Sequence, residues 1–120
     1  MDRQNPYPKT VRLRSEREFQ ELFRLGKRLR GSGVNVLFYQ PQGPSETRIG
    51  VVVGKKFGPA PRRNRMKRYA REVLRHRIRQ IPAGVHLVLE VLTKANHIPD
   101  EEIHNAMKEV ISSFIQAKSR

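Results

Sequence analysis

One stretch of the chain, residues 55–79, constrains the fold more than any other feature. It carries eleven Lys and Arg residues against a single acid, Glu72, which gives a net charge of +10 in 25 residues. Apolar residues recur in and just after this stretch at three- and four-residue spacing, at positions 66, 69, 70, 73, 74, 78 and 81. This period predicts a helix over about 60–80 with one core-facing stripe and a cationic opposite face. Such a density of like charge repels itself, so a polyanionic partner explains it better than a solvated helix face does.

The rest of the chain supplies a scaffold for this basic element. The 120 residues carry a net charge of +14 and are 37% hydrophobic, which is enough for one core. Beyond residue 80 the charge is nearly balanced, with four Lys or Arg residues and five acids. We expect a single RNA-binding domain over residues 12–120, preceded by a flexible basic lead-in over residues 1–11. Nucleic acid is the default partner for such a protein.

Several classes of protein are excluded by composition. The chain has no cysteine, so it has no disulfide scaffold, no cysteine nucleophile and no thiolate zinc site. No apolar run approaches the roughly 18 residues that a membrane span requires. The N-terminus lacks the apolar core of a secretion signal. We therefore expect a cytoplasmic protein with no membrane partner.

The remaining pattern predicts an α+β fold. The expected elements are helices over about 15–25 and 100–117, and strands over 34–40, 48–54 and 85–92. Ser15 and Glu18 form a capping box at the start of the first helix, and Gly26 is placed to end it. We expect the first two strands to pair as a hairpin. A strand–helix–strand unit adds some parallel pairing. The predicted class is an α/β sandwich with three helices on a three- to four-stranded mixed, mostly antiparallel sheet, in the order α-β-β-(β)-α-β-α.

No set of residues forms a catalytic centre. The segment Gly50–Lys56 superficially resembles a phosphate loop, but it is one residue short, and Lys56 stands where a hydroxyl would hold magnesium. The four histidines lack the spacing of a helical zinc site. The acids at 100–102 suit the first turn of a helix, where they complement its dipole. If the protein belongs to an enzyme, another component supplies the chemistry.

The basic stretch carries a long motif with fixed spacing, Lys55-Lys56-x-Gly58-x-Ala60-x-x-Arg63-Asn64-Arg65-x-Lys67-Arg68-x-x-Arg71-Glu72. In this motif the chain resembles the protein subunit of bacterial ribonuclease P, the ribonucleoprotein that removes 5′ leaders from precursor tRNA. The likeness continues in Leu13, Phe19, Phe23 and Gly26 of the first helix, in Arg48–Val51 and in His86–Leu89. Residues 1–10 lie outside it.

The resemblance implies a fold, a division of labour and a set of contacts. The fold would contain a left-handed βαβ crossover, against the usual rule. The catalyst would be the RNA subunit with bound magnesium, the chain would have no cofactor of its own, and its partners would be that RNA and precursor tRNA. The residues implied in RNA-subunit binding are Lys55, Lys56, Arg62, Arg63, Asn64, Arg65, Lys67, Arg68 and Arg71. Those implied in a cleft for the single-stranded leader are Phe19, Phe23 and Tyr39. We expect the protein itself to be a monomer.

Some alternatives stay open at this point. Composition alone equally allows a general basic RNA-binding protein or RNA chaperone without a dedicated catalytic RNA. A DNA-binding domain is disfavoured because the basic helix has no helix-turn-helix partner, no heptads and no zinc ligands. A self-sufficient nuclease is disfavoured because carboxylates and histidines are not clustered. The spacing of Phe19 and Phe23 is compatible with plain core packing, with base stacking, or with both.

Overall fold

A computed structural model describes residue 13 and residues 15–118. Its elements are α1 (Glu16–Leu25), β1 (Lys27–Arg30), β2 (Val34–Tyr39), β3 (Arg48–Val53), α2 (Ala60–Arg77), β4 (His86–Val91) and α3 (Asp100–Lys118). Short 3-10 turns cover Ile78–Gln80 and Thr93–His97. The predicted α+β class and element order are confirmed. The predicted lead-in over residues 1–11 lies outside the described residues.

The four strands form one mixed sheet in the order β1-β2-β4-β3. β2 pairs antiparallel with both β1 and β4, whereas β3 pairs parallel with β4. The predicted mixed, mostly antiparallel sheet is therefore confirmed. α2 connects the two parallel strands as a crossover, and the left-handed sense of that crossover stays a prediction.

Two expectations about the strands were wrong or incomplete. β2 and β3 do not form a hairpin, because β4 lies between them and pairs with both. All of β4 except Glu90 is buried, which suits a central strand covered on both faces better than an edge. β1 was not predicted separately. Three of its four residues are basic and exposed, so the alternation that marks a half-buried strand is absent.

The sheet has two unequal faces. α2 and α3 cover one face and bury the main core against it, with Val36 and Leu89 from the sheet, Met66 from α2 and Phe114 from α3 among its members. Side chains alternate along a strand, so their neighbours point to the second face. There α1 covers only part of the sheet. Its Leu22 joins a small buried cluster with Leu13, Leu37 and Val88.

The two ends of α1 follow the predicted signals. The Ser15 hydroxyl accepts a hydrogen bond from the Glu18 amide at 3.0 Å, and the Glu18 carboxylate accepts one from the Ser15 amide at 3.5 Å, which confirms the capping box. Gly26 ends the helix, but its backbone is extended rather than left-handed. A Cβ at this position would collide with the carbonyl oxygens of Leu22 and Phe38. Glycine therefore lets α1 turn directly into β1 close to β2.

Candidate nucleic-acid interfaces

The basic surface is the solvent side of α2 with the loop before it. Pro59 precedes the helix and Pro61 lies in its first turn, where a missing N–H costs no hydrogen bond. The buried side of α2 packs into the main core. The other side presents the polar and cationic residues that are exposed or half-buried, namely Lys55, Lys56, Asn64, Lys67, Arg68 and Arg71. Within residues 15–118, none of these six side chains has a hydrogen bond or an ion pair with a protein group. They are free to bind an anion.

Arg62 has a different environment, although it belongs to the same motif. Its Nε donates to Asp100 Oδ1 at 2.9 Å, and its two terminal nitrogens donate to the carbonyl oxygens of Asn96 at 2.6 Å and Ile98 at 2.9 Å. Its guanidinium carbon lies 4.5 Å from the ring centroid of Phe57, which is buried. Arg62 thus joins the start of α2 to the start of α3. Three of its five N–H donors thus have acceptors within the protein, and direct contact of Arg62 with RNA stays a prediction.

Arg63 and Arg65 are intermediate cases. Arg65 donates to Asp100 Oδ2 at 2.6 Å, yet its side chain is 43% exposed, so the rest of its guanidinium reaches solvent. The Nε of Arg63 donates to the carbonyl oxygen of Gly58 at 3.1 Å. Burial alone would raise the pKa of Asp100, but hydrogen bonds from Arg65 and Arg62 and their charges outweigh it and hold that pKa below its ordinary value. Asp100 therefore stays ionised at neutral pH and anchors this end of the surface.

The residues predicted to form the leader cleft lie on the second face of the sheet, beside α1. Phe19 and Phe23 stack with ring centroids 6.5 Å apart and an interplanar angle of 21°. Phe19 and Tyr39 both pack against the small buried cluster, so the helix and the end of β2 border one region. Phe23 extends outward and is 44% exposed. The structure thus brings the three predicted cleft residues together, and it gives Phe19 a packing role as well.

His86, the first residue of β4, lies beside Tyr39 in this region. Its ring meets the ring of Tyr39 edge-on, with centroids 6.2 Å apart. Burial lowers the pKa of His86 and the positive charge of Arg48 adds to this, which together outweigh the opposing effect of Glu18 and Glu21. The imidazole is therefore neutral at neutral pH, and it contributes a ring rather than a charge beside Tyr39.

Beyond α1, the same face continues into an open pocket that the sequence analysis missed. We call it the sheet-end pocket; its lining includes Arg28, Arg30, Asn35, Glu90, Thr93 and Lys94. A signal was present in the sequence, because Asn35 and Glu90 each have apolar neighbours on both sides within a strand. Such a residue in a central strand indicates either a structural hydrogen bond or a ligand.

Membrane-spanning helices and clusters of metal ligands would each indicate a class of function. No helix within residues 15–118 has the length and hydropathy that crossing a membrane requires. In the same part of the chain, no group of three or more His, Asp or Glu side chains is placed to hold a metal ion.

Comparison with known proteins identifies the family. A family model described as "Ribonuclease P" matches residues 7–114. The ribonuclease P protein component of Thermotoga maritima is 40% identical over 83 residues, which cover 69% of this chain and 70% of that protein. The chain belongs to the ribonuclease P protein family. The ribonuclease P protein component of a Pseudanabaena species is 31% identical to this chain over 106 residues, which cover 88% of this chain and 91% of that protein.

Solved structures of the ribonuclease P family agree with this fold. The Thermotoga maritima protein, solved with a fluorophenyl thiourea, is 34% identical with a TM-score of 0.71 over 87% of this chain and 96% of that one. The Staphylococcus aureus protein is 22% identical with a TM-score of 0.75, covers 91% and 92%, and supports the fold alone. The resemblance in the motif is confirmed. The chain is a protein component of ribonuclease P, the endoribonuclease that processes the 5′ leader of precursor tRNA together with an RNA subunit.

Proposed function

We propose that the basic surface of α2 binds the RNA subunit, while the cleft beside α1 binds the single-stranded leader of precursor tRNA. The observation that carries this proposal is the position of the two surfaces. α2 packs on one face of the sheet and α1 on the other, so one rigid sheet can hold two RNA segments at once. The chain acts in the cytoplasm as a monomer, with one RNA-binding domain over residues 12–120.

The chemistry of the basic surface suits a folded RNA backbone. A guanidinium such as that of Arg68 or Arg71 donates two parallel hydrogen bonds to a phosphate, which a lysine ammonium cannot do. Asn64 lies among them and adds hydrogen bonds to sugar or phosphate oxygens. Because binding releases counterions, each phosphate neutralised contributes about −0.7 to −0.9 to the slope of log K against log salt.

The chemistry of the cleft suits unpaired bases. Any base has a face that stacks on an aromatic ring, and each such stack contributes on the order of 1–3 kcal/mol. The ring of Phe23 is available for this because nearly half of it is exposed. Phe19 and Tyr39 support the same region from below, where they pack on apolar side chains.

The magnesium ions of the holoenzyme are, in this proposal, bound mainly by the RNA subunit. Mg²⁺ is usually bound through one or two carboxylates together with phosphates and water, and RNA supplies the phosphates. The role of this chain is to bind and orient the two RNAs.

Reconstitution with the RNA subunit tests both surfaces at once. We expect Arg68→Ala to weaken RNA-subunit binding and to flatten its salt slope by somewhat under one unit. We expect Phe23→Ala to reduce affinity for precursor tRNA with a leader about ten- to hundredfold and to leave leaderless tRNA and the RNA subunit unaffected.

Matched controls separate these effects from loss of structure. Leu25→Ala removes an apolar side chain of the same helix that is 46% exposed but carries no ring, and leader affinity should not change. Lys108→Ala removes an exposed cation from α3 and should leave the salt slope intact. The proposal fails if RNA-subunit affinity is insensitive to salt, or if Phe23→Ala weakens both RNAs equally.

A further inference from the structure

The sheet-end pocket has a polar floor that the cleft proposal does not use. The pocket has a volume of about 450 Å³. Asn35 of β2 and Glu90 of β4 lie directly opposite each other in the antiparallel register. The Asn35 amide donates to Glu90 Oε1 at 3.3 Å, and Arg28 Nε lies 3.8 Å from the same oxygen. Both contacts thus use one of the two carboxylate oxygens.

The other acceptors of this pair remain open. Within the described chain, neither Glu90 Oε2 nor the amide oxygen of Asn35 has a hydrogen-bond partner. Neither is among the buried polar atoms left unpaired, which are Nδ1 of His86 and Nε2 of His104. The two oxygens therefore reach the space of the pocket, on two central strands that hold them rigidly.

A carboxylate in this place needs an explanation. The pocket also contains Arg28, Arg30 and Lys94, and it continues the face on which we place a polyanion. Glu90 repels phosphate there. Its ion pair with Arg28 is long and partly exposed, and such pairs contribute little to stability. Asn35 is only 6% exposed, and an apolar residue at this position would need no hydrogen-bond partner. The long ion pair therefore adds little for Glu90, and the hydrogen bond of the Asn35 side chain is the one to Glu90.

We propose that the sheet-end pocket binds one nucleotide of the leader and selects bases that carry an exocyclic amino group; the proposal rests on the cleft function above. Adenine, guanine and cytosine each offer amino hydrogens to the two acceptors. Uracil offers a single N–H between two carbonyl oxygens. Those carbonyl oxygens would face the acceptor oxygens of Glu90 and Asn35, and acceptors repel each other. Arg30 and Lys94 are available for the flanking phosphates.

The test uses the reconstituted holoenzyme and a set of precursor tRNAs. Their leaders contain about eight uridines, a length that one single-strand groove covers, with adenosine, cytidine or guanosine substituted at each position in turn. We expect one position where an amino-bearing base binds about tenfold more tightly than uridine. Glu90→Gln should abolish that preference, because the glutamine amide can also donate, and it should tighten binding of the all-uridine leader.

The controls distinguish this proposal from the one before it. Glu109→Gln removes an exposed acid on α3 and should leave the preference intact, and melting temperatures check that each variant is folded. If wild-type affinity does not depend on a leader at all, the cleft function itself is wrong. If leader dependence is present without a base preference at any position, or if the preference persists in Glu90→Gln, the pocket proposal alone is overturned.

Discussion

Arg62 and Arg68 are the same residue type on the same helix, yet their surroundings differ. Arg62 has three acceptors from the segment that begins α3 and stacks over Phe57. Arg68 has an aromatic neighbour, with its guanidinium carbon 6.0 Å from the Tyr69 ring centroid, and its donors face solvent. The number of internal acceptors, rather than position in the motif, distinguishes an arginine that links two helices from one whose donors face solvent.

Substitution of Arg62 should therefore act on stability. We expect Arg62→Ala to lower the free energy of unfolding by about 2–3 kcal/mol, because two carbonyl oxygens and part of a carboxylate lose their donor. Urea unfolding measures this directly. Arg68→Ala is the matched variant and should unfold at the same urea concentration as the parent. Equal stability of the two variants would contradict the assignment.

Asp100 should make the contact between the start of α2 and the start of α3 sensitive to acid. Its pKa is lower in the folded chain than the ordinary value of 3.8, so the unfolded state takes up a proton first as pH falls. The stabilisation is complete above the unfolded pKa and disappears as pH falls through the folded pKa. We expect the parent to exceed Asp100→Asn in stability at pH 6 and to lose that advantage progressively as pH falls below the ordinary value of 3.8. An advantage that does not depend on pH would contradict the ion-pair mechanism.

The junction between α1 and β1 sets how closely α1 approaches β2, beside the proposed cleft. A methyl group at Gly26 meets two backbone carbonyl oxygens, so Gly26→Ala must displace the end of α1 from β2. We expect it to cost roughly 1–3 kcal/mol of stability and to weaken leader binding more than RNA-subunit binding. Thermal unfolding and the two affinities measure these effects.

Gly58→Ala provides the comparison for Gly26→Ala. A Cβ at position 58 lies at ordinary contact distance from the Arg62 side chain, 3.5 Å from its Cδ, and meets no backbone. This variant should retain stability and leader binding. If Gly26→Ala is as well tolerated, the close approach of α1 to the sheet does not shape the cleft.

The elements differed in how far the sequence could predict them. α2 and α3 were predictable because apolar residues repeat with the helical period over long spans. β1 was not, since Lys27, Arg28 and Arg30 leave one apolar residue in four. The pairing of β2 with β4 was not predictable either. The paired residues lie about fifty positions apart, so side-chain packing determines the pairing and no local turn signals it.

We propose two RNA-binding faces on this domain and place catalysis in the RNA subunit. We expect the purified chain, free of RNA, to leave precursor tRNA uncut with or without magnesium. Adding the RNA subunit should restore cleavage. Processing by an RNA-free sample, verified by nuclease treatment and repurification, would contradict this division of labour.

The candidate sites, like the elements, were predictable where they depend on a local sequence pattern and not where distant residues meet. The free cations of α2 follow from a helical pattern, so the basic surface could be placed from sequence. The grouping of Phe19 with Tyr39 came only from family resemblance, because the sheet brings them together across twenty residues of chain. The internal role of Arg62 was hidden, since its partner Asp100 lies 38 positions away.

The late position of β4 in the chain has a consequence for how the protein is made. β4 is the last strand to leave the ribosome, yet it completes the sheet between β2 and β3. Until residue 91 has been synthesised, both of those strands have an unpaired edge, and the apolar side of α2 has no finished core to pack on. Folding therefore cannot proceed element by element from the N-terminus. A nascent chain that already carries its arginines presents them on a rigid surface only after translation has passed β4, which separates synthesis of the basic helix from assembly with RNA.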